Sequence, residues 1–345
     1  MRSHEALVRR YLQEGKVEQH LKTYDHIRLY YPLDALKKCE DTPPYYCHYL
    51  AWRLGTKPGK MFNKWAGFFD GLLANASSLG GWNQGSTKKS SLMDCKFAAF
   101  WHFLWELQLA KFFSDSAGAK VEWLDPAPDF KVITNQGDFY VECFVFTRYF
   151  ELVHFIEQLC CQVDPRIRVE YPHFRDPGLP NDKADDFLDE VFSCLNKNLQ
   201  PPQGTRGENR ILFSRDHFIT YLAGDPMNPL PASRVMTMQT GNSQEYLDWA
   251  VKEALKSKID GTSGQLKSGL DKSHPHVLAV NFLLSRDAQI ALKIDSLRLP
   301  NIWKKYDAVL FTVCGIDKLP SANEFYVRCR SANHPLLAID GIKAR

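Results

Sequence analysis

The rhythm of apolar and polar positions changes along the chain. Over residues 1 to 85, short apolar runs rich in Tyr and Trp are broken by TPPYY and GTKPGK. They predict a helical and irregular N-terminal region. Its longest apolar-looking segment, MFNKWAGFFDGLLANASSLGGW, is interrupted by Asn63, Lys64, Asp70 and Asn75. A membrane span needs about 20 mostly apolar residues, so a buried or partner-facing helix is expected. LGGWNQGSTKKSS then reads as a loop or boundary. From Leu92, LMDCKFAAFWHFLWELQLAKFF predicts a long, largely buried helix, with Ser91 as N-cap ahead of Asp94.

Beyond this helix, elements alternate. AKVEWL predicts a strand, and DPAPDFKVITNQGDFYVECFVF a hairpin. FELVHFIEQLCCQV predicts a helix, RIRVEY a strand, and HFRDPGLPNDKADD a polar connection into the amphipathic DFLDEVFSCLNKNL. RILFS is a short strand and SQEYLDWAVKEALKSKI a helix. HVLAVNFLL and DAVLFTVC have the unbroken apolar character of strands buried on both faces. The alternation predicts an α/β domain around a mixed sheet over 86–345, preceded by the helical region of 1–85. No repeat or low-complexity tract interrupts it.

Composition excludes little. The net charge of +3 is compatible with nucleic acid as partner without arguing for it. The cysteines form no CxxC pair and no compact zinc spacing, and MRSHEALVRRYLQEGKVEQH is polar from the start. Reduced thiols in a cytoplasm are the expectation, with no membrane partner.

The chemistry lies with three acids. On a helical wheel, Glu106 shares a stripe with Ala99, Phe103, Ala110 and Phe113, opposite Gln108, Lys111 and Asp115. A buried carboxylate needs a cation, a hydrogen-bonding partner or a metal. In the hairpin, Tyr140, Glu142, Phe144 and Phe146 share one face, and Phe139, Val141, Cys143 and Val145 the other. A two-residue turn at Gln136-Gly137 sets Lys131 across from Glu142 and Asp129 across from Phe144, all on one face. A three-residue loop with Gly137 left-handed shifts the pairing by one and moves Asp129 to the Cys143 face, unless a bulge near Pro128 restores it.

A helix carrying Glu106, a strand, Pro128-Asp129 before a hairpin and Glu142 on the next strand together resemble the PD-(D/E)XK nuclease superfamily, the restriction-endonuclease-like fold. The resemblance covers roughly residues 92 to 146. It implies a restriction-endonuclease-like core in which Asp129 and Glu142 bind Mg²⁺ or Mn²⁺, with Glu106 assisting directly or through water. It also implies hydrolysis of phosphodiester bonds in nucleic acid, DNA ahead of RNA. The ion would generate hydroxide, neutralise phosphate charge and stabilise the leaving oxygen. The family pattern places Lys two residues after Glu142, where this chain has Phe144. Lys131 or Lys258 are the replacements by position, with Gln265 and Lys267 near the same later helix. If neither serves, the chain is a catalytically inactive binding or interaction protein on the same fold.

The remaining signals are weaker. His274 and His276 in SHPHV read as a loop feature, Cys143 as core, and Lys88-Lys89 and Lys304-Lys305 as solvated surface able to touch phosphates. The aromatic N-terminal region could dock a protein partner, a second copy or its own core.

Overall fold

The computed structural model describes residues 21–31, 50, 59–82, 97–124, 128–145, 167–170, 210–215, 218–222, 274–281, 303 and 305–344. In chain order they form helices α1 (Asp25–Tyr30), α2 (Gly59–Ser78) and α3 (Phe97–Ser114). Strands follow: β1 (Lys120–Trp123), β2 (Phe130–Thr134), β3 (Gly137–Val145), β4 (Ile167–Glu170), β5 (Arg210–Arg215), β6 (Phe218–Leu222), β7 (His276–Asn281), β8 (Ala308–Thr312) and β9 (Tyr326–Cys329). The predicted helices at 150–163, 186–199 and 243–259, and the cap at Ser91, lie outside the described residues.

The chain divides into two compact units. One comprises Met1–His20, Leu33–Pro58 and Arg148–Tyr246, and carries an antiparallel sheet in the order β4-β6-β5. The other comprises Leu21–Pro32, Gly59–Thr147 and Leu247–Arg345. Its six-stranded mixed sheet runs β1-β2-β3-β7-β8-β9 and is flanked by helices, so the α/β expectation holds at that level. The first three strands are antiparallel, β3, β7 and β8 run parallel, and β9 closes the far edge antiparallel.

Apolar continuity explains the centre of this sheet. Every residue of β7 and β8 is buried, as expected for strands covered on both faces. β3 alternates instead, with Phe139, Val141, Cys143 and Val145 buried and Tyr140, Glu142 and Phe144 half-buried. α3 packs on the buried face, where Phe113 meets the rings of Phe130 and Phe139 edge-on and the Trp105 indole N–H donates to the Ala279 carbonyl at 3.2 Å.

α3 is the long, largely buried helix that the sequence predicts, and even Gln108, on the side of the wheel with Lys111 and Asp115, is 1% exposed. Its amide donates to the carbonyls of Gly315 at 2.7 Å and Lys318 at 2.6 Å, which satisfies the buried polar group. Lys111 and Asp115, on that same side, form an ion pair at 3.0 Å. Glu106 is half-buried alongside Ala99 and His102, whereas Phe103, Ala110 and Phe113 are fully buried.

α2 buries Trp65, Ala66, Phe69, Leu72, Leu73 and Ala76. Its polar interruptions are used as ties. Asp70 accepts the Ile27 N–H of α1 at 2.8 Å, and Asn75 donates to Ser114 at the end of α3 at 3.2 Å. Among the described residues no helix is long and apolar enough to cross a membrane.

One polar contact makes this unit sensitive to acid. His334 is buried, its Nδ1 accepts the Leu336 N–H at 3.0 Å, and its Nε2 has no hydrogen-bond partner. Burial pushes its pKa down from 6.5 to about 4. Between these values the unfolded chain takes up a proton that the native one refuses, so stability falls as pH drops through that window. His334→Asn, which keeps an acceptor without titrating, is expected to lose less thermal stability than the parent between pH 6.5 and 4. Parallel slopes for the two proteins would remove His334 from this role.

Candidate functional site

The β2–β3 hairpin decides where the acids fall. Its ladder pairs Phe130 with Val141, Lys131 with Tyr140 and Thr134 with Gly137, so the two-residue turn is Asn135-Gln136. This differs from both registers considered from sequence. Thr134 stabilises the turn by accepting the Gln136 N–H at 3.1 Å and donating to the Gly137 carbonyl at 2.7 Å. Gly137, at φ 122°, supplies its left-handed freedom as the first residue of β3 and not within the turn.

Extending this register by one residue sets Asp129 across from Glu142. The ladder itself ends at Phe130–Val141, and the Asp129 carboxylate accepts the next main-chain donor, the Cys143 N–H, at 2.7 Å. The Asp129 N–H donates to the Val141 carbonyl at 3.1 Å, and its carbonyl accepts from Leu124 at 3.1 Å. Main-chain bonds on both sides therefore fix Asp129 beside β3.

A residue outside the sequence-predicted set completes the arrangement. Tyr306 precedes β8, is 1% exposed, and donates its hydroxyl to Glu142 Oε2 at 2.7 Å. Burial, then the charge and hydrogen bond of Glu142, then the charge of Asp129 raise its pKa far above the ordinary 10. Its hydroxyl thus stays a donor throughout the usable pH range. The hairpin register, carried one residue beyond Phe130–Val141, brings Asp129 and Glu142 to neighbouring positions on one face. Tyr306→Phe is expected to cost about 1.5–3 kcal/mol, the worth of a hydrogen bond to a charged group. Urea unfolding at pH 7 measures it, and a midpoint equal to the parent's would show that the bond is not formed.

The surroundings add imidazoles. Tyr140 lies against His274 and His276, at ring separations of 5.3 and 5.1 Å. His276, read from sequence as a loop residue, is the first residue of β7 and pairs with Tyr140 across the parallel ladder. His102, one turn before Glu106, meets the Phe144 ring edge-on at 5.4 Å. Phe144 thus fills the lysine position of the resemblance with a packed aromatic.

The proposed lysines fare differently. Lys131 lies across from Tyr140, on the Glu142 face, but its ammonium pairs with Asp138 at 2.7 Å, and that hydrogen bond raises its pKa. It is a cation held by a carboxylate of its own hairpin. Lys258, Gln265 and Lys267 lie outside the described residues. Cys143, on the opposite face, is buried.

Among the described residues no group of three or more His, Cys, Asp or Glu side chains is gathered closely enough to hold a metal ion. Glu106 therefore does not join Asp129 and Glu142 in a closed three-acid set. Two carboxylates nonetheless suit Mg²⁺, which keeps several waters and takes one or two carboxylates together with substrate phosphate. The donors here are oxygens, the type such a cation prefers. The chain matches no protein-family model, no curated protein and no solved structure.

Proposed function

We propose that this protein is a metal-dependent nuclease that hydrolyses phosphodiester bonds on the Asp129–Glu142 face, on a restriction-endonuclease-like core. The observation that carries this reading is the placement of Asp129 beside β3, one step beyond the Phe130–Val141 pair and so across from Glu142, whose carboxylate is held by Tyr306. The order of α3, β1 and the hairpin, with Glu106, Asp129 and Glu142 on successive elements, supports it further.

Asp129 and Glu142 would hold Mg²⁺ or Mn²⁺, and Glu106 would act on it through water. The ion, when bound, would supply charge neutralisation at the phosphate and a more acidic water. The chain's own groups set the geometry. The Cys143 N–H fixes the Asp129 carboxylate, and Tyr306 orients that of Glu142. Lys131, charged and anchored by Asp138, offers positive potential on the same face.

Phe144 supports a second reading, a catalytically inactive protein that binds nucleic acid or a protein partner, because an aromatic packed against His102 cannot do the work of an ammonium. Incubating the protein with single-stranded and duplex DNA and RNA in Mg²⁺ or Mn²⁺ separates the two. Shortened products that vanish with chelator support the nuclease. Retention of intact strands without any product supports the binder.

A further inference from the structure

An open recess of about 520 Å³ is lined by Trp303, Arg328, Cys329, Arg330 and Ala344. It lies at β9, the edge of the six-stranded sheet away from the hairpin. Its size is that of an ordinary small-ligand site. No carboxylate is among its described lining residues. Two guanidinium groups give it positive charge in forked geometry, the type that matches phosphate oxygens. Arg328 is steadied over the Tyr326 ring at 5.9 Å, and Arg330 donates to the Trp303 carbonyl at 3.4 Å. Trp303 adds an indole, which serves as a stacking surface for any base. Cys329 contributes no anion, since burial pushes its thiol up to about 11.

The recess is tied to the carboxylates by register and by chain. Glu142 pairs with Leu278, Leu278 with Val309, and Val309 with Arg328. Cross-strand partners share a face, so Arg328 springs from the same side of the sheet as Glu142. Three inter-strand spacings of roughly 4.8 Å separate them, about 14 Å. Trp303 stands three residues before Tyr306, whose hydroxyl touches Glu142. Leu278 and Val309, between Glu142 and Arg328, are buried, so a strand passes around that covered stretch. At the stacked rise of roughly 3.4 Å per nucleotide, at least about four nucleotides separate the two places.

We propose that this recess binds one nucleotide of a single-stranded nucleic acid, base against Trp303 and phosphate between Arg328 and Arg330, at least about four nucleotides from the bond cut at Glu142. The proposal names the substrate class for the nuclease reading and rests on it for the cleavage position alone. Binding can be measured without cleavage. In chelator, fluorescence anisotropy of a labelled single strand of about ten deoxynucleotides, within the usual range of site sizes, reports on the full-length chain. Arg328→Gln/Arg330→Gln is expected to weaken binding about tenfold or more and to lower the salt slope by about 1.4, two phosphate contacts for a single strand. Trp303→Leu should weaken it without changing the slope.

Because Arg328 packs on Tyr326, the exposed Arg330→Gln alone serves as a second variant, expected to lower the slope by about 0.7. Equal binding by parent and double variant overturns the proposal, as does a duplex of the same length that is bound as tightly and weakened as much. Loss of binding in the variants when the parent cuts nothing keeps the recess and removes the nuclease. Cleavage by a parent whose recess variants bind and cut normally does the reverse.

Discussion

Glu142→Gln is expected to slow strand cleavage by roughly 10²–10³-fold, the scale on which one charge-stabilising group commonly contributes. The substitution removes a negative charge and little else. Its amide oxygen can still accept the Tyr306 hydroxyl, which in the parent lies 2.7 Å from Glu142 Oε2. Folding should survive, and a thermal midpoint near the parent's confirms that the loss is chemical. Asp129→Asn should behave alike, because its side-chain carbonyl can keep the Cys143 N–H, bound in the parent at 2.7 Å. Timed cleavage of an end-labelled strand in Mn²⁺ measures both. A Glu142→Gln protein that cuts at the parental rate would place the chemistry elsewhere.

The second large effect is structural. Gly81 sits at φ 80°, and a Cβ added there would come 2.0 Å from the Trp123 carbonyl oxygen and 2.9 Å from its carbon. Those are backbone atoms of β1, held in place by the Trp123 N–H bond to the Gly80 carbonyl at 2.8 Å. Neither side can yield without breaking that contact. Gly81→Ala is expected to cost at least about 3 kcal/mol, a large part of the roughly 5–15 kcal/mol that holds a typical domain folded. Gly118→Ala is the control, since φ is 75° there and an added Cβ meets nothing within 4 Å. It should cost only the left-handed penalty, about 1–2 kcal/mol. Urea midpoints give the difference, and equal losses would mean that the close approach to Trp123 has no energetic weight.

The central sheet was legible because its signal is local. Unbroken apolar runs can be buried on both faces, and β7 and β8 are. The alternation in YVECFV likewise marked one buried and one half-buried face of β3. Register was harder. The Gly137 cue drew the turn toward the glycine, whereas the ladder puts the turn one residue earlier. Thr134 supplies the turn's hydrogen bonds there, so the glycine is needed only at the start of the strand.

Long-range contacts were not legible. The wheel put Gln108 with Lys111 and Asp115 and could not show its partners, because the carbonyls that satisfy it, on Gly315 and Lys318, come from the far end of the sequence. Tyr306 reaches Glu142 across a similarly long separation. The one available signal was its place in WKKYD, where a tyrosine directly precedes a predicted buried strand. β9 is short and carries Arg328 among its apolar residues, so no run of letters marks it as an edge strand.

Calorimetric titration with Mn²⁺ tests most directly whether Asp129 and Glu142 form one ion-binding site. The parent and Lys131→Gln should take up the ion, and uptake should disappear in both Asp129→Asn and Glu142→Gln. Uptake that survives in both carboxylate variants, or a parent that takes up no ion, would contradict the site.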